Sequence, residues 1–284
     1  MQAIHQKFQM GQEFPLHVFI TDAQEFPPHW HEAVEVIYAL EDDLRVGINH
    51  EIHSLKARDI LLVGGGDVHF FPPQTRPVQR MIIQFDLAFF ESFAALFRDK
   101  RFTVALLREN VDPMVEGAAS VHADMETQLL AILKESHDKQ EGYRLALKAR
   151  MYDLLILLLR RVPMEQISPH EKNRRLSRLE RLELVLRYVE NHFDKTLTLE
   201  EVAALANFSV FHFTRFFRET TGMTFGQYVN QFRVEKAVDA LINTNDTITE
   251  IVFKSGFNSA KTFNRVFRQL KGCSPSAYKR TLGI

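Results

Sequence analysis

At 284 residues, 45% of them apolar, the chain suits two domains with substantial cores and carries no polar low-complexity tract. Its longest aliphatic run, Leu154 to Leu159, is far too short to span a bilayer; no signal-peptide pattern opens the sequence, and the single Cys273 excludes an intramolecular disulfide framework and fits a reducing cytoplasm. The net charge of −1 combines two unlike halves: residues 171–284 carry 18 Lys and Arg against 12 Asp and Glu, residues 1–170 carry 17 against 24, and only the basic C-terminal part suits a phosphate backbone.

Residues 1 to about 86 read as strands. Val34–Tyr38, Leu44–Ile48, Ile60–Val63 and Met81–Phe85 are short and rich in β-branched residues, and turn signals separate them at Asp42-Asp43, Asn49-His50, Gly64-Gly65-Gly66-Asp67 and Phe71-Pro72-Pro73. Many short strands with close turns predict a small barrel or sandwich. His29, His31 and Glu35 fall on one face if they share a strand, because side chains alternate, and His69 follows the glycine-rich turn. Trp30 lies between the first two histidines and so faces the other way.

Residues 87 to 162 read as helical. Met125, Leu129, Ile132 and Leu133 share one face, Met151, Leu154, Leu155, Leu158 and Val162 share another, and Gly142 between them predicts a helical hairpin. Ile156, Leu157 and Leu159 extend the apolar character of the second helix around its circumference, which predicts burial on several sides and points to a subunit interface. Residues 163–177, with Pro169 and the charged run Glu171 to Arg175, read as an interdomain linker.

A helix over 178–191 leads into the last third. Residues 196 to 280 then hold two copies of one unit, offset by 50 residues: Glu200 matches Glu250, Val202 Val252, Ser209 Ser259, Phe213 Phe263, Arg215 Arg265, Phe217 Phe267, Arg218 Arg268, Gly222 Gly272 and Tyr228 Tyr278. Thr198 with Glu201, Thr224 with Gln227 and Thr247 with Glu250 are capping boxes that open helices. Ser209 and Ser259 start the second helix of each unit, and Pro275 sits at the first position of the last helix. Each unit therefore reads as a helix-turn-helix, with Phe213 and Phe217, or Phe263 and Phe267, inward and basic residues outward. A helix of this kind fits the major groove, where Arg pairs bidentately with guanine.

Both units, the helix joining them and the closing Gly272-x-Ser-Pro-x-x-Tyr-x-Arg280 resemble the AraC/XylS family of bacterial transcription regulators, over about residues 178 to 282. The resemblance implies that each unit places its second helix in a major groove, the two about one helical turn (~34 Å) apart. It implies DNA-binding roles for Phe211, Thr214, Arg215 and Arg218 in the first unit and for Ala260, Lys261, Asn264, Arg265 and Arg268 in the second. It also implies an N-terminal sensor barrel that binds a small effector, often a sugar, an arm before Phe19, and action as a homodimer that contacts RNA polymerase. His29, His31, Glu35 and His69 resemble the three-histidine, one-carboxylate metal set of the cupin barrel, whose ligand types suit Fe, Mn, Ni or Zn, but are read here as lining the effector pocket.

The expectation is an α+β multidomain protein. Residues 1–162 form a cupin-like double-stranded β-barrel with a helical dimerisation segment, 163–177 a linker, and 178–284 an all-α tandem helix-turn-helix domain. Its function is read as a cytoplasmic, sequence-specific DNA-binding regulator, an activator of a carbohydrate-utilisation operon, with double-stranded DNA, a sugar-like effector and RNA polymerase as partners. No catalytic residue, cofactor, resident metal or membrane contact is expected. The alternatives are a metal-binding cupin sensor or enzyme with a DNA-binding tail, and a regulator without an effector.

Overall fold

The structure is a computed structural model that describes residues 16–74, 76–90, 96–97, 99–109 and 118–281. The chain divides after Arg178 into two compact units. Residues 1–15, including most of the expected arm, lie outside the described residues.

The first unit opens with eight strands: β1 (Leu16–Thr21), β2 (Phe26–His29), β3 (Val34–Ala39), β4 (Leu44–Ile48), β5 (Glu51–Leu55), β6 (Ile60–Val63), β7 (His69–Phe71) and β8 (Arg80–Phe85). After a 3-10 turn at Leu87–Phe90 come β9 (Lys100–Phe102) and β10 (Leu106–Leu107). One antiparallel sheet runs β1-β8-β3-β6-β10 and the other β2-β7-β4-β5. Alternation sorts the side chains of the first sheet onto two buried faces. Val34, Val36, Tyr38, Met81, Ile83 and Phe85 pack on one side against a pair of helices. Ile37, Ala39 and Ile82 face the other way, onto Leu44, Val46, Leu55 and Phe71. Double coverage explains why β3 reads as an almost unbroken apolar run. It also makes Glu35 and Gln84, both on that second face, exceptional.

The helical hairpin is present as α1 (Ala118–Asp138) and α2 (Tyr143–Arg161), joined through Gly142 at φ 79°. Met125, Leu129, Ile132, Met151, Leu154 and Leu158 are its buried stripe. One expectation needs correction. Residues 87 to 162 are not wholly helical, since β9 and β10 precede the hairpin; strands of two or three residues are too short to show a period. In the single chain Ile156 on α2 is exposed, and Leu157 and Leu159 are half-buried.

The stretch 163–177 contains ordered elements. Strand β11 (Met164–Gln166) pairs antiparallel with β9, and helix α3 (Pro169–His192) starts at Pro169 rather than near Arg178. Ser168 and Glu171 cap it reciprocally, so the charged run predicted as linker is the solvated first turns of a helix. In the second unit follow α4 (Leu199–Leu205), α5 (Val210–Thr221), α6 (Phe225–Asn243), α7 (Ile248–Lys254), α8 (Ala260–Lys271) and α9 (Pro275–Thr281).

Candidate nucleic-acid interface and barrel site

The second unit is a pair of helix-turn-helix modules built by the local signals in the sequence. Thr198, Thr224 and Thr247 each accept from the backbone N–H three residues on, while Glu201, Gln227 and Glu250 reach back to the cap N–H. Ser209 and Ser259 cap α5 and α8. Gly222 and Gly272 end those helices in the left-handed conformation, at φ 71° and 74°, where glycine carries no Cβ penalty.

The duplication is not a uniform offset of 50. Through the first helix and the turn it is 49: the N3 partner of Thr198 is Glu201 and that of Thr247 is Glu250. Phe208 N–H donates to Ala203 O at 2.8 Å just as Phe257 N–H donates to Val252 O at 3.1 Å. Both turns need one left-handed residue, which is Asn207 (φ 57°) in one and Gly256 (φ 83°) in the other. Asn258 is the extra residue that restores an offset of 50 from Ser259 onward.

Beneath each reading helix lies an aromatic core. Phe213 and Phe217 pack on Phe225, with ring centroids 5.6 and 5.5 Å away. Phe263 packs on Phe257 at 5.1 Å and Phe267 on Tyr278 at 5.7 Å. With those rings inward, Phe211, Thr214, Arg215 and Arg218 on α5 and Ala260, Lys261, Asn264, Arg265 and Arg268 on α8 are all solvent-exposed. Phe211 is 75% exposed, which removes it from the core. Two of the polar groups are engaged locally: Thr214 Oγ1 donates to Val210 O at 2.8 Å, and Arg215 Nε donates to Glu219 Oε1 at 2.7 Å. Exposed His212 also belongs to this face, with Nδ1 3.2 Å from Ser209 Oγ; its place beside Phe211 in the first helical turn was the available signal. The joining helix α6 has 19 residues, a length of about 28 Å.

The barrel site is assembled by strand register. His29 on β2 stands opposite His69 on β7, and Glu35 on β3 stands opposite Gln84 on β8. His31 reaches the same place from the β2–β3 connection, so the four residues expected to share a face do meet, but not along one strand. Gly66 N–H donates to His31 O at 2.7 Å, and a Cβ on Gly65 would collide with the Glu32 carbonyl. The glycine-rich turn is therefore the seat on which the His31 segment lies.

His29, His31, Glu35 and His69 are each 4% exposed or less. Their ring centroids lie 4.0 Å (His29–His69), 4.9 Å (His31–His69) and 6.0 Å (His29–His31) apart. Glu35 Oε2 lies 3.2 Å from His31 Nε2 and 3.4 Å from His69 Nε2, and accepts from Gln84 Nε2 at 2.6 Å. Burial and the neighbouring His69 hold the His29 imidazole well below its usual range. Burial alone would raise Glu35, but His69 and the His31 contact outweigh it and hold the carboxyl low. Burial opposes the charge on His69 too, and there Glu35 reverses the sign, raising it.

Three contributors were not singled out in the sequence. Gln84 pairs with Glu35 only through register. Asp67 accepts from Gly64 N–H at 3.1 Å and from Asn49 Nδ2 at 3.1 Å. Arg175, in the second turn of α3, donates to Asp67 Oδ1 at 2.7 Å and to the carbonyls of Gly65 and Gly66 at 3.1 and 3.3 Å.

Two antiparallel sheets with a buried polar cluster, followed by two helix-turn-helix modules with basic outer faces, are the architecture of a DNA-binding regulator with a ligand-binding domain. A family model described as an AraC-like ligand binding domain matches residues 16–155, and one described as a helix-turn-helix domain matches residues 202–281. The Transposon Tn10 TetD protein of Escherichia coli is 36% identical over 96 residues, which are 34% of this chain and 70% of that protein. The HTH-type transcriptional activator RhaR of Mannheimia succiniciproducens is 21% identical over 98% of this chain and 96% of its own. Among solved structures, the DNA-binding domain of AdpA in complex with a target DNA is 30% identical, covers 34% of this chain and 87% of that one, and superposes with a TM-score of 0.33. The chain belongs to the AraC family of DNA-binding transcription regulators.

Proposed function

We propose that α5 and α8 enter successive major-groove segments of double-stranded DNA, held at the two ends of α6. The observation that carries this reading is the pair of exposed basic faces, each backed by a phenylalanine core. Arg215 and Arg265 are the base-reading residues. Phe211 and Ala260 contact base edges or thymine methyls, Thr214, Lys261 and Asn264 add polar contacts, and Arg218 and Arg268 hold phosphates.

The barrel is the sensor, and His29, His31, Glu35 and His69 belong to its effector site. A small oxygen-rich effector such as a sugar fits hydrogen-bonding groups of this kind. The exposed stripe Leu145, Tyr152 and Ile156 on α2, spaced seven and four residues apart, supports dimerisation through the hairpin. The relative RhaR, matched over nearly its whole length, is described as an activator, which favours activation through RNA polymerase, here of a carbohydrate-utilisation operon in the cytoplasm. Control is a population shift: effector binding favours the dimer arrangement whose reading heads match adjacent half-sites. The Arg175 clasp ties the turn that seats His31 to the first turns of α3. The test is operator affinity and promoter output with and without candidate sugars. A ligand that stabilises the barrel but changes neither quantity removes the sensor reading.

A further inference from the structure

Alternation along β8 puts a third polar residue on the sheet face that carries Glu35 and Gln84. Arg80 lies two residues before Ile82 and four before Gln84, and is 1% exposed. Its guanidinium lies over the Phe71 ring, with Cζ 3.9 Å from the centroid. One Nη donates to Val78 O at 3.2 Å and the other to Ala23 O at 2.9 Å. Nε is buried and has no acceptor among the described residues. Ala23 is an exposed residue of the β1–β2 connection, so the guanidinium reaches the rim of the barrel.

Both of its acceptors are neutral carbonyls. Glu35 and Asp22 act on the guanidinium only from a distance: Glu35 is engaged by His31, His69 and Gln84, and Asp22 is exposed. Burial accordingly lowers Arg80 to about 10. A buried cation is costly unless an anion pairs with it.

Gln84 offers the opposite polarity. Its Nε2 donates to Glu35 Oε2 at 2.6 Å. A carboxylate only accepts, so the amide nitrogen is the atom fixed there and Oε1 is left over, buried and without a donor among the described residues. One face of β8 thus holds a charged donor and a neutral acceptor, about 13 Å of strand apart. A water molecule would satisfy either polar atom but leaves the charge unpaired; a carboxylate meets both needs of Arg80 at once.

We propose that Arg80 is the anion-binding residue of the barrel and that the effector is a small hydroxy acid. Its carboxylate pairs with Nε and a neighbouring Nη of Arg80, the fork geometry by which arginine recognises carboxylates. A hydroxyl of the acid donates to Gln84 Oε1, and Phe71 holds the guanidinium plane from behind. This rests on the reading of the barrel as sensor and narrows its effector from a neutral sugar to an acid.

The test is thermal melting and calorimetric titration of the full chain with aldonates and uronates, each against its neutral aldose, and with acetate and inorganic phosphate at matched ionic strength. At least one hydroxy acid is expected to raise the melting temperature where its neutral counterpart does not. Nitrogen-15 arginine spectra should show the Arg80 Nε resonance move on binding. Arg80→Met removes the charge and keeps the bulk. It should weaken acid binding at least ~10-fold, while the ligand-free variant melts no lower than wild type because an unpaired buried charge is gone. Gln84→Leu should reduce the preference for a hydroxy acid over its deoxy analogue. The proposal is overturned if no acid raises the melting temperature, if phosphate alone does, or if Arg80→Met leaves acid binding unchanged. Should Arg80→Met not fold, the Nε resonance of the wild type decides. A response to neutral sugars alone removes the anion site and keeps the sensor, whereas acid binding that leaves operator affinity and promoter output unchanged does the reverse.

Discussion

Replacing Gly256 by alanine should be among the most damaging single-methyl changes in the DNA-binding unit. Gly256 sits in the second turn at φ 83°, where an L residue pays about 1–2 kcal/mol. Its new Cβ would run into the Phe193 carbonyl and stand 2.8 Å from Arg233 Nε and 3.0 Å from Asp194 Cα. Arg233 cannot simply yield, because it donates to Phe193 O at 2.8 Å and to Lys195 O at 2.7 Å and so ties α6 to the end of α3. Losing one such charged hydrogen bond costs about 1.5–3 kcal/mol, for a total of about 3–5 kcal/mol. Gly272→Ala is the control: φ is 74°, but nothing lies within 4 Å of its Cβ, so only the backbone term of about 1–2 kcal/mol applies. Denaturant unfolding followed by far-ultraviolet circular dichroism reads the helical unit. Fluorescence of Trp30, the only tryptophan, reads the barrel separately. A Gly256→Ala transition displaced no further than that of Gly272→Ala would refute the steric reasoning.

Other outcomes follow from the same geometry. Phe267 is fully buried between Phe263 and Tyr278, so Phe267→Ala should cost about 3–5 kcal/mol in the same circular-dichroism assay; less than 1 kcal/mol would mean the ring is not a core element. Glu126 accepts from Tyr38 and from both Nε and Nη2 of Arg58, and its carboxyl is held down to about 2. A depressed carboxylate contributes stability that is whole above the ordinary value of 4.5 and is lost as pH falls from there toward about 2. Partial exposure cuts that contribution to about 1–2 kcal/mol, so Glu126→Gln should destabilise the barrel by that much at pH 7 and by almost nothing near pH 2; a penalty independent of pH would contradict it. Arg218→Ala and Arg268→Ala should each lower the salt dependence of DNA binding by about one phosphate contact without altering sequence preference, as titrations at several salt concentrations would read; an unchanged salt slope would place these side chains off the DNA.

Much of the second unit was legible because its signals are local. A capping threonine and its glutamate are three residues apart, and Phe213 with Phe217 declares an inward face within one turn. The offset of 49 was hidden because Glu200 and Glu201 both offer a partner for Glu250, and only the hydrogen bond chooses. In the barrel, residue type pointed to His29, His31, Glu35 and His69, but the reason they meet is long-range. Gln84 is 49 residues from Glu35 and reaches it through strand register. His31 arrives from a turn whose path depends on Gly65 lacking a side chain. Arg175 looked like part of a solvated charge run, and its partners Gly65, Gly66 and Asp67 lie more than 100 residues earlier. Nothing periodic marks β9, β10 and β11, whose few residues are held by the neighbours they pair with.

The most direct test of the two-headed reading is selection of preferred DNA sequences from a random pool by the full chain, repeated with Arg215→Ala and with Arg265→Ala. Two conserved blocks about 10.5 base pairs apart are expected. Arg215→Ala should relax one position in one block and Arg265→Ala one position in the other, each by about 1–3 kcal/mol of discrimination. A single block, or variants that lose affinity evenly across all sequences while the preferred bases stay the same, would contradict it.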